Sequence, residues 1–154
     1  MVRALIVNWF LPGMSVQLHD QLQSLRNAAA RLIFTARRPD RISPLLRDLH
    51  WLRVPEHVKF KLCVLVYRCL HGTAPPYLAD DLSLTSANGN RCHLRSAVSP
   101  TLVVKPTRRS TLGDRAFRVA AARAWNSLPP AVSDAPSFLS LRSRLKAWLF
   151  ELTL

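Results

Sequence analysis

The chain has 154 residues, of which 49% are hydrophobic, and its formal net charge at pH 7 is +13. This hydrophobic content excludes a disordered chain, and the length suffices for a single domain with a packed core. The charge favours a polyanionic partner, either nucleic acid or an anionic membrane surface, over a merely basic soluble protein. No stretch reaches the roughly 18 consecutive apolar residues that a spanning helix requires, so no membrane span is predicted.

Residues 1–14 form an apolar N-terminal segment without an amphipathic period. The run is interrupted by Asn8 and lacks a clean small-residue cleavage site, so it matches a secretory signal only faintly. The alternative interpretation, a secreted or membrane-associated protein, is supported by this segment alone. The three cysteines, an odd number, are interpreted as buried, reduced thiols of an intracellular protein, either nuclear or cytoplasmic. They are Cys63, Cys69 and Cys92.

Residues 15–82 are predicted to form a helical core, which starts with a long helix over residues 15–38. Asp20 near its start and basic residues near its end suit the helix dipole. Arg26 and Arg31 lie off the apolar stripe of this helix and should face solvent or a partner. The stripe expected to face the core consists of Leu18, Leu22, Leu25, Ala29, Leu32 and Ile33.

A central pair of helices is predicted over residues 42–78. Ser43 can cap the first helix, with Pro44 at the first helical position, where its missing N–H costs nothing. Pro55 opens the second helix, which is apolar over most of its circumference and is therefore expected to be buried on most sides.

The end of the second central helix is marked by Gly72, and we expect the prolines at 75 and 76 to prevent a restart. The region 42–85 carries five basic and four acidic residues, and is therefore nearly neutral. A buried helix pair with a neutral exterior fits a scaffold better than a binding face.

Residues 83–112 are predicted to form a basic loop or linker, because Ser, Asn and Gly dominate its first part. Within it, residues 101–105 are a candidate short strand. Seven basic residues and one acidic residue lie between positions 87 and 118. We expect either phosphate contacts to RNA or DNA without sequence preference, or a merely solvated loop. No aromatic residue interleaves with these cations, so base stacking is not expected there. The seven are Arg91, Arg95, Lys105, Arg108, Arg109, Arg115 and Arg118.

Residues 113–154 are predicted to form a C-terminal helical pair that packs on the core within one single domain. The first helix is expected to start at Gly113 and to end near Ser127, and Ser137 caps the second. Arg142, Arg144 and Lys146 lie mostly off the apolar stripe of the second helix. The core faces are expected to be Phe117, Ala120, Ala121, Ala124, Trp125 and Leu128, followed by Phe138, Leu141, Leu145, Trp148, Leu149 and Leu152.

The resulting fold class is mainly α. It has about five helices around the central helix pair, one short strand or extended segment, and a long basic loop.

Catalytic motifs are not found in the sequence: it has no G-x-S-x-G elbow, no paired-carboxylate motif and no glycine-rich phosphate loop. A zinc set could be drawn from Cys69, His71, Cys92 and His93, but it lacks the short ligand spacing of a zinc knuckle. We therefore expect a protein that is not an enzyme, with no catalytic, metal-binding or cofactor-binding residues and no cofactor.

Eight short strings follow one another in the order typical of a single family. They are LQSLRNAAARLI (22–33), LHWLRV (49–54), FK (60–61), YRCLHGTAPPYL (67–78), LRS (94–96), GDRAF (113–117), WNSLP (125–129) and SLRSRLKAWLF (140–150). Together they resemble the C-terminal, post-palm region of the polyprotein of non-LTR (LINE-type) retrotransposons. The resemblance extends from about Asn8 to Phe150.

The resemblance implies a non-catalytic fragment or remnant of a reverse transcriptase, because the family's catalytic palm and endonuclease lie upstream of this region. Asp80 and Asp81 follow a predicted helix end and do not match the aspartate pair of a palm hairpin. The expected function is non-specific nucleic-acid binding through the basic loop, with the upstream reverse transcriptase domain as a former packing partner. The alternative is a domesticated or orphan helical protein-interaction module without nucleic-acid binding.

Overall fold

The computed structural model describes residues 16–84, 101–106 and 116–153, and these ranges are mainly helical, as predicted. Within these ranges, five helices longer than one turn correspond to the five predicted ones, and two further helices are single turns. In chain order the helices in the described ranges are α1 (Val16–Ile33), α2 (Ile42–Asp48), α3 (Val54–Leu70), α4 (Pro76–Ala79), α5 (Phe117–Asn126), α6 (Pro130–Ser133) and α7 (Phe138–Thr153).

Helix α3 lies at the centre of the core, where it packs against α5 and α7. Leu141, Leu145 and Leu149 of α7 are at most 1% exposed, and their spacing of four residues places them on one helix face. Burying each of these side chains contributes about 1.5–3 kcal/mol. Helix α5 buries Val119 and Ala122 in addition to part of its predicted face. The predicted central position of the helix pair is therefore confirmed for its second helix, α3, whereas its first helix, α2, packs mainly against α1.

The ends of the longer helices follow local chain chemistry. Helix α3 carries Pro55 in its first turn, where the missing N–H leaves no bond unmade. It ends before Gly72, whose φ of +66° is a left-handed conformation that glycine adopts without strain. The backbone N–H of Ser140 donates to the Ser137 hydroxyl, at 3.2 Å, so the predicted cap of α7 is confirmed.

Two local predictions in the central region are wrong. Ser43 does not cap α2, because the helix begins at Ile42 after an extended Arg41. The Ser43 hydroxyl instead accepts a hydrogen bond from the Arg53 guanidinium, at 3.2 Å. The two prolines after α3 also do not prevent a restart: α4 begins at Pro76, since a proline at the first helical position lacks only an N–H that would be unpaired anyway.

Helix α1 ends at Ile33, five residues before its predicted end. The chain turns there through Thr35, which has a φ of +50°. The Asp40 carboxylate then accepts a hydrogen bond from the Arg37 backbone N–H, at 2.6 Å, and holds the turn that leads to α2.

The predicted core stripe of α1 is largely wrong, because most of it faces solvent. Leu18, Leu25 and Leu32 are 47%, 68% and 78% exposed, whereas Ala30 is fully buried. The helix is oriented by contacts with α2 and α3. In particular, the Gln23 side-chain oxygen accepts a hydrogen bond from the Val54 N–H at 2.8 Å, which pairs a donor that the first turn of α3 would otherwise leave unpaired.

The candidate strand at 101–105 reduces to one isolated antiparallel bridge between Leu84 and Leu102. Leu102 is 2% exposed and belongs to the core. The Asn126 side chain holds its backbone on both sides, accepting from the Leu102 N–H at 2.9 Å and donating to its carbonyl at 2.8 Å. The segment is therefore extended and anchored, but a single bridge does not make a strand.

Candidate nucleic-acid interface

Basic side chains from three helices line one cavity of about 340 Å³, here called the basic cleft. Helix α1 contributes Arg26, α3 contributes His57 and Lys61, and α7 contributes Arg142 and Lys146. These helices place the side chains together because α1 and α7 both pack against α3. The remaining lining residues are His50, Trp51, Leu52 and Phe60.

Aromatic rings lie beside the cations of the basic cleft. The Arg26 guanidinium carbon is 5.5 Å from the centroid of the Trp51 ring, within the range of a cation–π interaction. The Lys146 ammonium is 5.8 Å from the Phe150 centroid, and the His50 ring meets Phe150 edge to face, with centroids 6.3 Å apart. His50 lies two residues after the end of α2 and has a left-handed backbone conformation, with φ of +52°. The cleft therefore offers both positive charge and π surface.

The environment of the cleft lowers the pKa values of two of its side chains, Arg26 and His57. Burial lowers the pKa of the Arg26 guanidinium, although an arginine remains protonated at neutral pH. Burial, the Arg26 cation and the Lys61 cation together lower the pKa of His57 to about 4. His57 is therefore neutral at pH 7, and the fixed charge of the cleft comes from Arg26, Lys61, Arg142 and Lys146.

The four cations of the cleft are not neutralised by carboxylates within the described residues, where none of them forms an ion pair. The acidic residues closest to these cations in sequence are Glu56 and Glu151, and neither lines the cleft. Glu56 lies in the first turn of α3, where the helix dipole favours a carboxylate. Concentrated, unpaired positive charge in a concave site attracts anionic ligands.

The basic residues predicted from the sequence lie elsewhere. Lys105 and Arg118 are exposed, and neither lines the basic cleft. Arg91, Arg95, Arg108, Arg109 and Arg115 lie outside the described residues.

The sequence pattern missed the cleft as a site, although it contained one usable signal. Arg26, Arg142 and Lys146 lie off the apolar stripes of their helices and were expected to face away from the core. Lys61 lies in a nearly neutral region and carried no such signal. A local count of charge could not group these residues, since they are far apart in the chain.

Two of the three cysteines, Cys63 and Cys69, lie in the described part of the chain. Cys63 and Cys69 are buried free thiols, and burial raises the pKa of Cys63 to about 12 and also raises that of Cys69. Across the described ranges no cluster of three or more His, Cys, Asp or Glu side chains could hold a metal ion. Cys92 and His93, the other members of the possible zinc set, fall outside these ranges.

No helix in the described part of the chain is long and apolar enough to cross a membrane. Comparisons with protein-family models, with curated proteins and with solved structures found no match to this chain.

Proposed function

We propose that this chain binds nucleic acid through the basic cleft, without catalysing a reaction, as a portion or remnant of a reverse transcriptase polyprotein. The observation that carries the proposal is the convergence of Arg26, Lys61, Arg142 and Lys146, from three helices, on one cavity. None of the four has an ion-pair partner among the described residues. Guanidinium and ammonium groups in such a site donate hydrogen bonds to phosphate oxygens and release condensed counterions on binding.

The family resemblance supports the same proposal from another direction. The strings that resemble the retrotransposon family supply the cations of the cleft: Arg26 lies in LQSLRNAAARLI, Lys61 in FK, and Arg142 and Lys146 in SLRSRLKAWLF. The string LHWLRV supplies Trp51, on which Arg26 stacks. Nucleic acid is the expected ligand in this case, because a reverse transcriptase polyprotein acts on RNA and DNA.

A non-catalytic role agrees with the placement of the aspartate pair. Asp80 and Asp81 are exposed and follow the single turn α4, and Asp80 is the C-cap of that turn. Two-metal phosphoryl transfer requires carboxylates that converge on a shared site. The exposed position of this pair after a helical turn is therefore consistent with the proposed non-catalytic role.

The test is a salt-dependent binding measurement with a matched charge control. In fluorescence anisotropy with a labelled oligonucleotide, we expect the double variant Lys61→Gln/Lys146→Gln to weaken binding and to reduce the slope of log K against log salt by about 1.4–1.8. The control, Arg38→Gln/Arg47→Gln, removes the same charge from exposed residues that do not line the cleft. Equal losses in both variants would overturn the proposal.

The predicted basic loop is tested in the same assay. The variant Lys105→Gln/Arg118→Gln removes two of the charges that the sequence singled out, both of them exposed. A loss that exceeds that of the Lys61/Lys146 variant would move the interface from the basic cleft to the loop.

A second candidate function is a protein-interaction module, which the apolar row on α1 favours. Leu18, Leu25 and Leu32 repeat every seven residues and are exposed, which is the spacing of a helix–helix contact surface. The occupant proposed for this row is the reverse transcriptase domain that precedes the post-palm region in the family. Co-purification with that domain, lost on Leu25→Glu, is the expected result, and nucleic-acid affinity unchanged by Lys61→Gln/Lys146→Gln would favour this function over the first.

A further inference from the structure

A second pocket lies further along α3, towards its C-terminal end. It has a volume of about 520 Å³ and is lined by Tyr67, Arg68, His71, Thr73 and Phe138. Its rings are close to one another: the Tyr67 centroid is 4.0 Å from that of His71 and 6.0 Å from that of Phe138. The pocket therefore combines one guanidinium with a small cluster of aromatic surfaces.

Arg142 joins this second pocket to the basic cleft. It lines the cleft, and its guanidinium carbon is also 5.6 Å from the Phe138 centroid. The Arg68 guanidinium lies 4.9 Å from the centroid of the same ring. Phe138 is thus in contact with a cation from α3 and with a cation from α7. Arg142 lines the basic cleft and also contacts Phe138, which lines the second pocket.

The two concavities follow one helix. The lining residues on α3 and its C-terminal turn run from His57 to His71, and a rise of about 1.5 Å per residue places them over roughly 21 Å. Stacked bases in a strand are about 3.4 Å apart, so this distance corresponds to about six nucleotides. The site is longer than a single phosphate or mononucleotide requires.

We propose that the basic cleft and the second pocket form one continuous groove for a single strand of RNA or DNA, about six stacked nucleotides long. Lys61, Arg68, Arg142 and Lys146 contact the phosphates. Trp51 and Phe138, together with the guanidinium groups that lie over them, present stacking surfaces to bases. This inference rests on the proposed function and specifies its ligand.

A single strand fits this surface better than a duplex for a physical reason. In a duplex the base faces are stacked on their neighbours, so recessed aromatic rings cannot reach them, whereas an unpaired strand offers every base face. Cations alternating with aromatic rings along a groove are the arrangement that binds single strands without reading their sequence. The predicted basic loop lacks such interleaved rings.

The experiment compares single strands of three, six and twelve nucleotides, as oligo(dT) and oligo(rU), with a duplex of twelve base pairs. We expect affinity to rise steeply up to about six nucleotides and more slowly beyond, and the single strand to bind more tightly than the duplex. Comparing the affinities for oligo(dT) and oligo(rU) shows whether DNA or RNA is the preferred strand.

Substitutions within the groove supply the second readout. Phe138→Leu is expected to weaken twelve-nucleotide binding roughly tenfold without changing the salt slope, because it removes stacking and not charge. Tyr77→Leu, an aromatic residue that is 70% exposed and lies in neither pocket, is the matched control and should bind like the wild type. Arg68→Gln should lower the salt slope by about 0.7 for twelve nucleotides and leave three-nucleotide binding nearly unchanged.

The outcomes separate this inference from the proposed function. The groove is refuted if the duplex binds as tightly as the single strand. It is also refuted if Phe138→Leu has the same affinity as Tyr77→Leu and Arg68→Gln leaves the salt slope unchanged. Either result would leave the basic cleft as a phosphate site. If Lys61→Gln/Lys146→Gln binds no more weakly than its charge control, the proposed function and the groove both fail.

Discussion

Lowering the pH should destabilise this protein through His57, and the effect can be isolated. The pKa of His57 in the folded protein is about 4, because burial and the cations of Arg26 and Lys61 disfavour the imidazolium. In the unfolded chain the same group has its usual pKa of 6.5. The unfolded chain therefore binds more protons between these two values, and stability is lost as the pH falls from about 6.5 to about 4.

The magnitude follows from the difference between the two pKa values. A pKa that is lower by about 2.5 in the folded protein corresponds to a change of roughly 3.4 kcal/mol in the free energy of unfolding for a fully buried group. His57 is only partly buried, and solvent screens its interactions with Arg26 and Lys61, so an effect of about 1–2 kcal/mol is expected. Lys61 is the smallest of the three causes, so it accounts for at most about one third of this effect.

Urea unfolding at about pH 7.5 and about pH 4.5 measures this effect in wild type, His57→Gln and Lys61→Met. The wild type should lose about 1–2 kcal/mol more than His57→Gln between the two pH values, and Lys61→Met should lie between them, nearer the wild type. His57→Gln isolates the group because the other four histidines remain in both proteins. Identical pH dependence in wild type and His57→Gln would refute the electrostatic account of the basic cleft.

Two further predictions concern the fold. Leu145→Ala, at a fully buried α7 position, should lower the free energy of unfolding by about 3–5 kcal/mol, whereas Leu152→Ala, at a position that is 61% exposed on the same helix, should cost well under 1 kcal/mol. Similar urea midpoints for the two variants would contradict the assigned core face of α7. Asn126→Ala removes both hydrogen bonds to the Leu102 backbone, so we expect a loss of about 1–3 kcal/mol and faster amide hydrogen exchange at Leu102. Unchanged exchange at Leu102 would show that the bridge to Leu84 is sufficient to hold this segment.

Helix positions were the most predictable part of the fold, because their signals act over a few residues. Pro55, Gly72 and Ser137 mark helix ends through a missing N–H, a left-handed φ and a side-chain cap, and each acts where the sequence predicted it. The errors at Ser43 and Pro76 also concern helix starts. Ser43 lies inside the first turn of α2, where its hydroxyl accepts a hydrogen bond from the distant Arg53, and Pro76 begins a single helical turn in place of preventing one.

The face of α1 could not be read from periodicity. Its apolar stripe predicted the core side, but the helix is held by Ala30 and by the bond from Val54 to Gln23, so Leu25 and Leu32 face outwards. A small residue and one amide oxygen carry almost no weight in a hydrophobic pattern. They determine the orientation of the helix because close approach and a paired helix terminus depend on the neighbouring elements.

By itself the sequence determined that this is a mainly helical, strongly basic protein with an apolar central helix, because composition and periodicity are local properties of the chain. It located positive charge where cations are dense along the chain, at 87–118. Only the tertiary structure decided that Arg26, Lys61, Arg142 and Lys146 share one cleft beside Trp51. The reason is geometric, because packing α1 and α7 against α3 brings together single cations that are far apart in the chain. The electrostatic field that these cations produce depends on their distance in space and not on their separation in sequence.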